Sequence, residues 1–553
     1  MEKENILVAA ALPYANNSLH LGHVAALMGS DIFARYKRQI GNNVLFVSGS
    51  DCHGTPISVE AEKRGIEPSE IALKYHEEFK KTLIQGLGFS YDIFSTTTTD
   101  IHKKTVQEIF LDLYNKELIY KKTEKLPYCE NDKRFLPDRY IEGVCPNCGF
   151  GSARGDQCDN CGKLIDPKEL KNPKCKICGS TPIFKDSEHF FLKLTALQDK
   201  LSEWVKKSEG WKPNALGFAE NFLKNGLQDR AITRDTTWGI EIPLVGFETK
   251  RIYVWFEAVC GYLSASKEWA EKTGDETAWE SYWVNNQAKH YYFHGKDNIP
   301  FHTIIWPAIL IGFDHGLHLP DRIYSTEYLN LEGKQFSKSR HWAVWLPDFL
   351  EDFDPETLRF YLTLSGPETA DADFSWKDYK ERINAELIGN FGNFINRTFS
   401  IIKQNFDSGV RFPETLNAES EKFIKLAEDS FDIIGNLIEQ GKFREAIRAL
   451  LKIVEYGNKY FNDAEPWKTV KENKEAAEET LAVCAQIIRA IAILSAPFLP
   501  RTAEKISAQT QDHELRWKYP EPKEIFNPIE VSPLFKKIEE EEIEAQREKL
   551  GKE

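Results

Sequence analysis

The feature that most constrains this chain is the continuous apolar run Ile6-Leu-Val-Ala-Ala10, followed at once by Ala11-Leu-Pro-Tyr-Ala-Asn-Asn-Ser-Leu-His20-Leu-Gly-His23. A short run without polar alternation reads as a strand covered on both faces, the habit of parallel sheets in α/β proteins. Residues 23 to 40 read as an amphipathic helix, so His20 and His23 fall at a strand-to-helix turn. Backbone N–H groups and the positive end of a helix dipole meet at such a turn, which suits a phosphate. Gly22 permits close approach of a ligand, and histidines three apart present both rings to one side. Ordinary helix starts also hold histidines, so the pair acquires meaning only beside a second feature.

That feature lies more than three hundred positions downstream. Leu331-Glu-Gly-Lys334-Gln-Phe-Ser337-Lys338-Ser339-Arg340 is a basic, Ser-rich loop with a glycine, able to fold over phosphates. Set at opposite ends of one α/β region, the His-Leu-Gly-His and Phe-Ser-Lys-Ser segments resemble the two ATP-binding motifs of class I aminoacyl-tRNA synthetases.

At 553 residues the chain exceeds what one core supports, so three or four domains are expected. No 18-residue apolar run exists, and Met1-Glu-Lys-Glu-Asn5 enters a strand directly, which predicts no signal peptide, no membrane span and a cytoplasmic location. A formal charge of −14 argues against a general nucleic-acid coat, since such affinity comes from neutralising phosphates, but leaves room for local basic surfaces. The ten cysteines fall mostly in Cys-x-x-Cys pairs within one segment, which favours zinc over disulfides.

After the first helix, Asn43-Val-Leu-Phe-Val-Ser-Gly-Ser-Asp51-Cys-His53-Gly-Thr-Pro56 reads as a buried strand entering a Gly-punctuated loop. Ligands in open α/β sheets bind at the carboxyl ends of strands, making Asp51 a candidate for an ammonium group. Helical stretches at 56–88 and 99–119 complete half of a doubly wound sheet. Composition shifts at Lys121. Cys145-x-x-Cys148, Cys158-x-x-Cys161 and Cys175-x-x-Cys178 follow, with Cys129-Glu-Asn-Asp132 in a fourth place. Two such pairs complete a closed tetrahedral zinc site with no open position for chemistry. Cys145, Cys148, Cys158 and Cys161 form the first assignment, and Cys129, Asp132, Cys175 and Cys178 a possible second; the pairing between knuckles stays open. Aromatic strands return at Lys250–Tyr262 and His290–His302, where Trp255, Tyr262 and His302 lie near strand ends and Tyr253, Tyr291 and Phe293 read as core. Residues 386–530 are periodic and nearly without strand signals, hence a helical bundle. Within it Asn393 and Arg397 share a helical face, and Pro466-Trp467 reads as the end of another helix.

The order of Pro13-Tyr14, His20-Leu-Gly-His23, Asp51 with His-Gly-Thr-Pro, a Cys-knuckle insertion, Tyr-Val-Trp255, Gly-Lys-Asp297-Asn298, Phe-His302 and the lysine loop is similar to the methionyl-tRNA synthetase family, across nearly the whole chain. The resemblance implies ligation of L-methionine to tRNA(Met) through methionyl-adenylate, with Mg2+ accompanying ATP and one or two structural Zn2+ ions. It assigns ATP to His20, Gly22, His23, Asp297, Asn298, Ser337 and Lys338, with His20, His23 and Lys338 catalytic. Methionine goes to Leu12, Tyr14, Asp51, Trp255, Ala258, Tyr262 and His302, and the CAU anticodon to Asn393, Arg397 and Trp467. Two departures stand out. Val259 replaces a proline common in the family, and Gln335-Phe336 occupy the first two places of the familiar Lys-Met-Ser-Lys-Ser.

The expected architecture is thus a doubly wound parallel-sheet nucleotide-binding α/β domain with a zinc-knuckle insertion, then an all-α bundle. Its divisions are 1–119 and 236–325 for the two catalytic halves, 120–235 for the insertion and 326–385 for the lysine loop and a tRNA-stem linker. The anticodon-binding bundle takes 386–530, and 531–553 is a charged helix or solvated tail. A monomer binding ATP, methionine and the acceptor end and anticodon of tRNA, without a membrane partner, is expected. The other readings are a class I synthetase for valine, leucine, isoleucine or cysteine, and a non-catalytic zinc-ribbon RNA-binding module. The branched-chain enzymes carry a large editing insertion, whereas residues 120–235 are largely knuckle. The cysteine enzyme would place its zinc ligands in the active site.

Overall fold

The computed structural model describes residues 3–552 except 156–157, 159, 162–164, 285–286 and 513. Strand β1 (Asn5–Ala10) occupies the centre of a five-stranded sheet, flanked by β2 (Asn43–Ser50) and then β3 (Ile93–Thr96) on one side. On the other side lie β4 (Ala288–Gly295) and β5 (Arg322–Thr326), giving the order β5-β4-β1-β2-β3 with every pairing parallel. Ile6, Val8 and Ala10 face one core while Leu7 and Ala9 face the other. Both faces of β1 are therefore dry, and this is why its sequence shows no alternation.

Helix α1 (Leu21–Gln39) lies on the first face and α2 (Asp100–Asn115) on the second, with α3 (Gly261–Thr273). The insertion is carried on a long antiparallel pair, Ile119–Cys129 with Ile183–Leu192, and its small core sets Cys129, Cys145, Cys158 and Cys175 among Leu136, Tyr140, Ile141, Ile165 and Leu170. Downstream, α4 (Pro355–Ser365) bridges to a bundle of α5 (Asn393–Asn405), α6 (Ala418–Glu439), α7 (Phe443–Ala464), α8 (Pro466–Glu472), α9 (Lys474–Ser495) and α10 (Pro500–Thr510). One apolar core runs without interruption from the sheet into this bundle. No helix among the described residues is long and apolar enough to cross a membrane.

One expectation needs correction, and another, left between two alternatives, is resolved. Pro466-Trp467 starts a helix instead of ending one: Glu465, at φ 45°, closes α7, and Pro466 takes the first position of α8, where its missing N–H costs nothing. The C-terminal segment forms helix α11 (Glu540–Lys549), but it is docked, not solvated. Ile543 is fully buried, Asn384 Nδ2 donates to Ile538 O (2.8 Å), and Gly551 N–H donates to the carbonyl of His341 beside the lysine loop (2.9 Å).

Candidate active site and metal centres

At the turn after β1, His20 is the N-cap of α1. Gly22 N–H donates to His20 Nδ1 and His20 N–H donates to His23 Nδ1, both at 3.1 Å, and the rings lie 3.8 Å apart. Leu21 N–H donates to Val344 O, and His23 N–H to His20 O. The expected free N–H groups of a phosphate-binding helix start are thus already occupied. Burial, then the nearby His23, hold His20 well below the usual histidine range, and burial brings His23 down to about 4. A neutral imidazole whose Nδ1 accepts must carry its hydrogen on Nε2. Both histidines are therefore neutral Nε2–H donors.

The lysine loop is seated on this turn. Its base is zipped to the first motif by Leu21 N–H to Val344 O (3.2 Å) and Leu346 N–H to Leu19 O (2.7 Å). Ser337 and Trp342 exchange backbone bonds across the loop, and Lys338 Nζ donates to the carbonyl of Asn16 (3.2 Å). Desolvation lowers the Lys338 pKa, with Glu60 opposing.

Beside the turn, Asp51 follows β2 and is bridged to the Tyr14 segment, with Asp51 N–H donating to Pro13 O and Ala15 N–H to Asp51 O. The Tyr14 hydroxyl donates to the His53 carbonyl and occupies the space a side chain at Gly54 would fill. Burial, then Glu257, push the Asp51 carboxyl well above the usual range. Glu257 escaped the sequence reading. It is fully buried, accepting from His53 Nδ1–H (2.9 Å) and His102 Nε2–H (2.6 Å). Burial alone would raise its pKa, but His53 and His102 outweigh it and hold the carboxylate below the usual range. Its signal was present: a carboxylate in the aromatic run Tyr253-Val-Trp-Phe-Glu257 needs buried partners.

On the second face of the sheet, His302 Nδ1–H donates to Asn298 O (2.8 Å), leaving Nε2 to accept from the Tyr262 hydroxyl (2.7 Å). Burial takes His302 down to about 4, consistent with a neutral acceptor. Leu12 packs on Gly261 beside Tyr262, and Trp255, partly exposed, lies against Phe301. Leu12, Tyr14, Asp51, Trp255, Ala258, Tyr262 and His302 therefore all sit at the carboxyl ends of β1, β2 and β4 or on the helices beside them. Asp297 is engaged differently from expectation: the Tyr328 hydroxyl donates to its carboxylate.

In the insertion, Cys145, Cys148, Cys158 and Cys161 form one group whose ligand atoms could hold a metal ion, and Cys129, Asp132, Cys175 and Cys178 form another. Sulfur separations of 3.9 Å (Cys145–Cys161) and 3.7 Å (Cys148–Cys158) are close to the roughly 3.8 Å edge of a tetrahedron with metal–sulfur bonds of about 2.3 Å. In the second group the Asp132 carboxylate lies 3.2 Å from Cys129 Sγ and 3.0 Å from Cys175 Sγ, near a mixed sulfur–oxygen edge. These donor sets fit zinc. In the bundle, apart from the cleft, Arg397 lies over the rings of Phe461 (4.6 Å) and Trp467 (5.1 Å) and donates to Asn462 Oδ1 (3.0 Å). Asn393 stands one turn before it on α5.

A doubly wound parallel sheet whose first turn carries His-Leu-Gly-His, covered by a distant lysine loop, defines a class I aminoacyl-tRNA synthetase. Residues 6–399 match the family description "tRNA synthetases class I (M)", and residues 413–553 match "Anticodon binding domain of methionyl tRNA ligase". Methionine–tRNA ligase of Bacillus cereus strain AH187 is 44% identical over 551 residues, covering 99% of each chain, and that of Bacillus mycoides is likewise 44% identical over 552. A solved Mycobacterium tuberculosis methionyl-tRNA synthetase in complex with methionyl-adenylate shares the fold, with a TM-score of 0.80 at 23% identity over 96% of this chain and 99% of that one. The chain belongs to the methionyl-tRNA synthetase family.

Proposed function

We propose that this protein ligates L-methionine to tRNA(Met) in two steps. A methionine carboxylate oxygen attacks the α-phosphorus of Mg-ATP in line, the bond to the bridging oxygen breaks, and pyrophosphate leaves with its electron pair. A terminal ribose hydroxyl of tRNA then takes the acyl group and AMP departs. The observation carrying this reading is the seating of the Lys338 loop on the His20–His23 turn at the end of β1.

Asp51 receives the methionine ammonium; the arriving cation offsets the Glu257 charge that otherwise disfavours its ionisation. Tyr14, Leu12, Trp255, Ala258, Tyr262 and His302 enclose the side chain. Because the Tyr262 hydrogen is committed to His302, its oxygen meets the thioether as part of a shaped wall. His20 and His23 meet the triphosphate as neutral donors with Gly22 between them, and Lys338, with Ser337 beside it, supplies positive charge as negative charge develops. Asp297 and Asn298 receive the ribose after Tyr328 yields. Cys145, Cys148, Cys158 and Cys161, and Cys129, Asp132, Cys175 and Cys178, would hold structural zinc, which would stabilise an insertion whose own apolar core is small. Arg397 and Trp467, with Asn393, present a stacking platform for splayed anticodon bases. The same reading supports the division into catalytic halves 1–119 and 236–325, insertion 120–235, linker 326–385, bundle 386–530 and C-terminal segment 531–553.

Lys338→Ala tests the assignment. Removing one such group typically slows the chemical step by ~100-fold or more, so methionine-dependent pyrophosphate exchange should fall by that factor with the fold intact. Undiminished exchange would refute it.

A further inference from the structure

The departure from the family's lysine motif at Gln335-Phe336 has a structural counterpart. The Phe336 ring lies parallel to the His20 ring, with centroids 4.5 Å apart and planes 9° from coplanar. His20 also touches His23 at 3.8 Å, and its Nδ1 is held by Gly22 N–H. Fixing the plane and one nitrogen of an imidazole leaves its Nε2–H with a single direction. The contact also reaches the backbone, since Phe336 lies 3.7 Å from where a side chain at Gly22 would begin. Lys334, the lysine preceding the departure, is turned away over the Trp342 ring (4.2 Å) on the loop's own hairpin. The loop thus reaches the first motif through side chains, with Lys338 on the Asn16 carbonyl and Phe336 on His20.

We propose that Phe336 is a positioning residue for adenylate formation, holding His20 by a ring stack that exists only while the lysine loop is seated, so that loop closure and the aim of the His20 donor are one event. The proposal rests on the reading that His20 faces the triphosphate. It explains why an aromatic ring is suited to this place: a flat face covers a neutral imidazole at a fixed angle, whereas a flexible aliphatic chain leaves the plane free to rotate.

The test is methionine-dependent ATP–pyrophosphate exchange in the full chain, with KM and kcat measured separately for ATP and for methionine. Misaiming a catalytic donor by about an ångström, as distinct from deleting it, can cost up to about a hundred-fold. Phe336→Ala should therefore lower kcat/KM for ATP by up to that factor and leave the KM for methionine unmoved. Phe336→Tyr, which keeps the ring, should stay within about two-fold of wild type. In a His20→Ala background the Phe336→Ala change should add nothing, because a residue acting through His20 has no effect once that ring is gone. An equal loss with and without His20, an equal rise in both Michaelis constants, or a Tyr variant as slow as the Ala variant would overturn the proposal while sparing the function itself. Full exchange in His20→Ala would instead refute the placing of His20 at the triphosphate.

Discussion

Glu257→Gln probes the buried cluster behind Asp51 and separates two consequences that run in opposite directions. Glu257 is fully buried, and each of its oxygens accepts from a histidine, at 2.9 Å from His53 and 2.6 Å from His102. Glutamine keeps the shape but replaces one oxygen with an NH2 that faces a ring N–H. A charge-assisted bond contributes about 1.5–3 kcal/mol, and a buried donor left facing a donor forfeits most of it. The variant should therefore lose about 2–3 kcal/mol, lowering the thermal transition by about 2 °C. Function should respond otherwise. Glu257 raises the Asp51 pKa, so removing its charge lets Asp51 ionise at lower pH. On the proposed reading that Asp51 receives its ammonium, methionine needs that ionised form, and its KM should rise as pH falls through the Asp51 pKa. The acid limb of the KM profile for methionine in pyrophosphate exchange should accordingly move to lower pH in the variant. An unchanged thermal transition, or an acid limb displaced upward, would refute the account of Glu257 as an ionised partner of both histidines and an electrostatic neighbour of Asp51.

Three further outcomes follow from other sites. Trp467→Ala should weaken aminoacylation of tRNA while leaving tRNA-independent exchange intact, because Arg397 and Trp467 stack within the bundle; equal loss of both activities would make Trp467 a packing residue. Stripping metal with a strong chelator should release up to two equivalents of zinc and expose the 120–235 insertion to proteolysis, whereas a metal-free preparation with the insertion equally resistant would refute a structural role. Arg359→Met should cost about 3 kcal/mol, because Arg359 and Asp31 form a fully buried pair at 2.7 Å and the Arg359 guanidinium also donates to Phe498 O at 2.8 Å. Burial would raise the Asp31 pKa, but Arg35 and Arg359 hold it down to about 2, so its contribution is complete above the ordinary value near 4 and disappears as pH falls towards 2. Acid unfolding should begin at higher pH in the variant, and an unshifted acid transition would disprove the coupling.

Much of the fold was legible because its information is local. The unbroken apolar run of β1 announced a strand dry on both faces, and the 3.6-residue period marked α1 and the bundle. Cys-x-x-Cys spacing placed the candidate knuckle ligands, since two thiolates of one knuckle can meet a metal through local geometry alone. The two motifs at opposite ends of the α/β region point to the class on their own. What the sequence left undecided depended on partners far apart in the chain. Glu257 meets His53 across 204 positions, and Phe336 meets His20 across more than three hundred. No periodicity records such pairs; sheet register and loop seating create them. The same holds for protonation. His20 and His23 were legible as residues, but which nitrogen carries the hydrogen was decided by Gly22 N–H and His20 N–H, and their neutrality by burial. Sequence by itself specified most of the candidate groups at the cleft, though not Glu257. Tertiary structure decided their charge and direction, because hydrogen bonding and desolvation are properties of the neighbours each group acquires on folding.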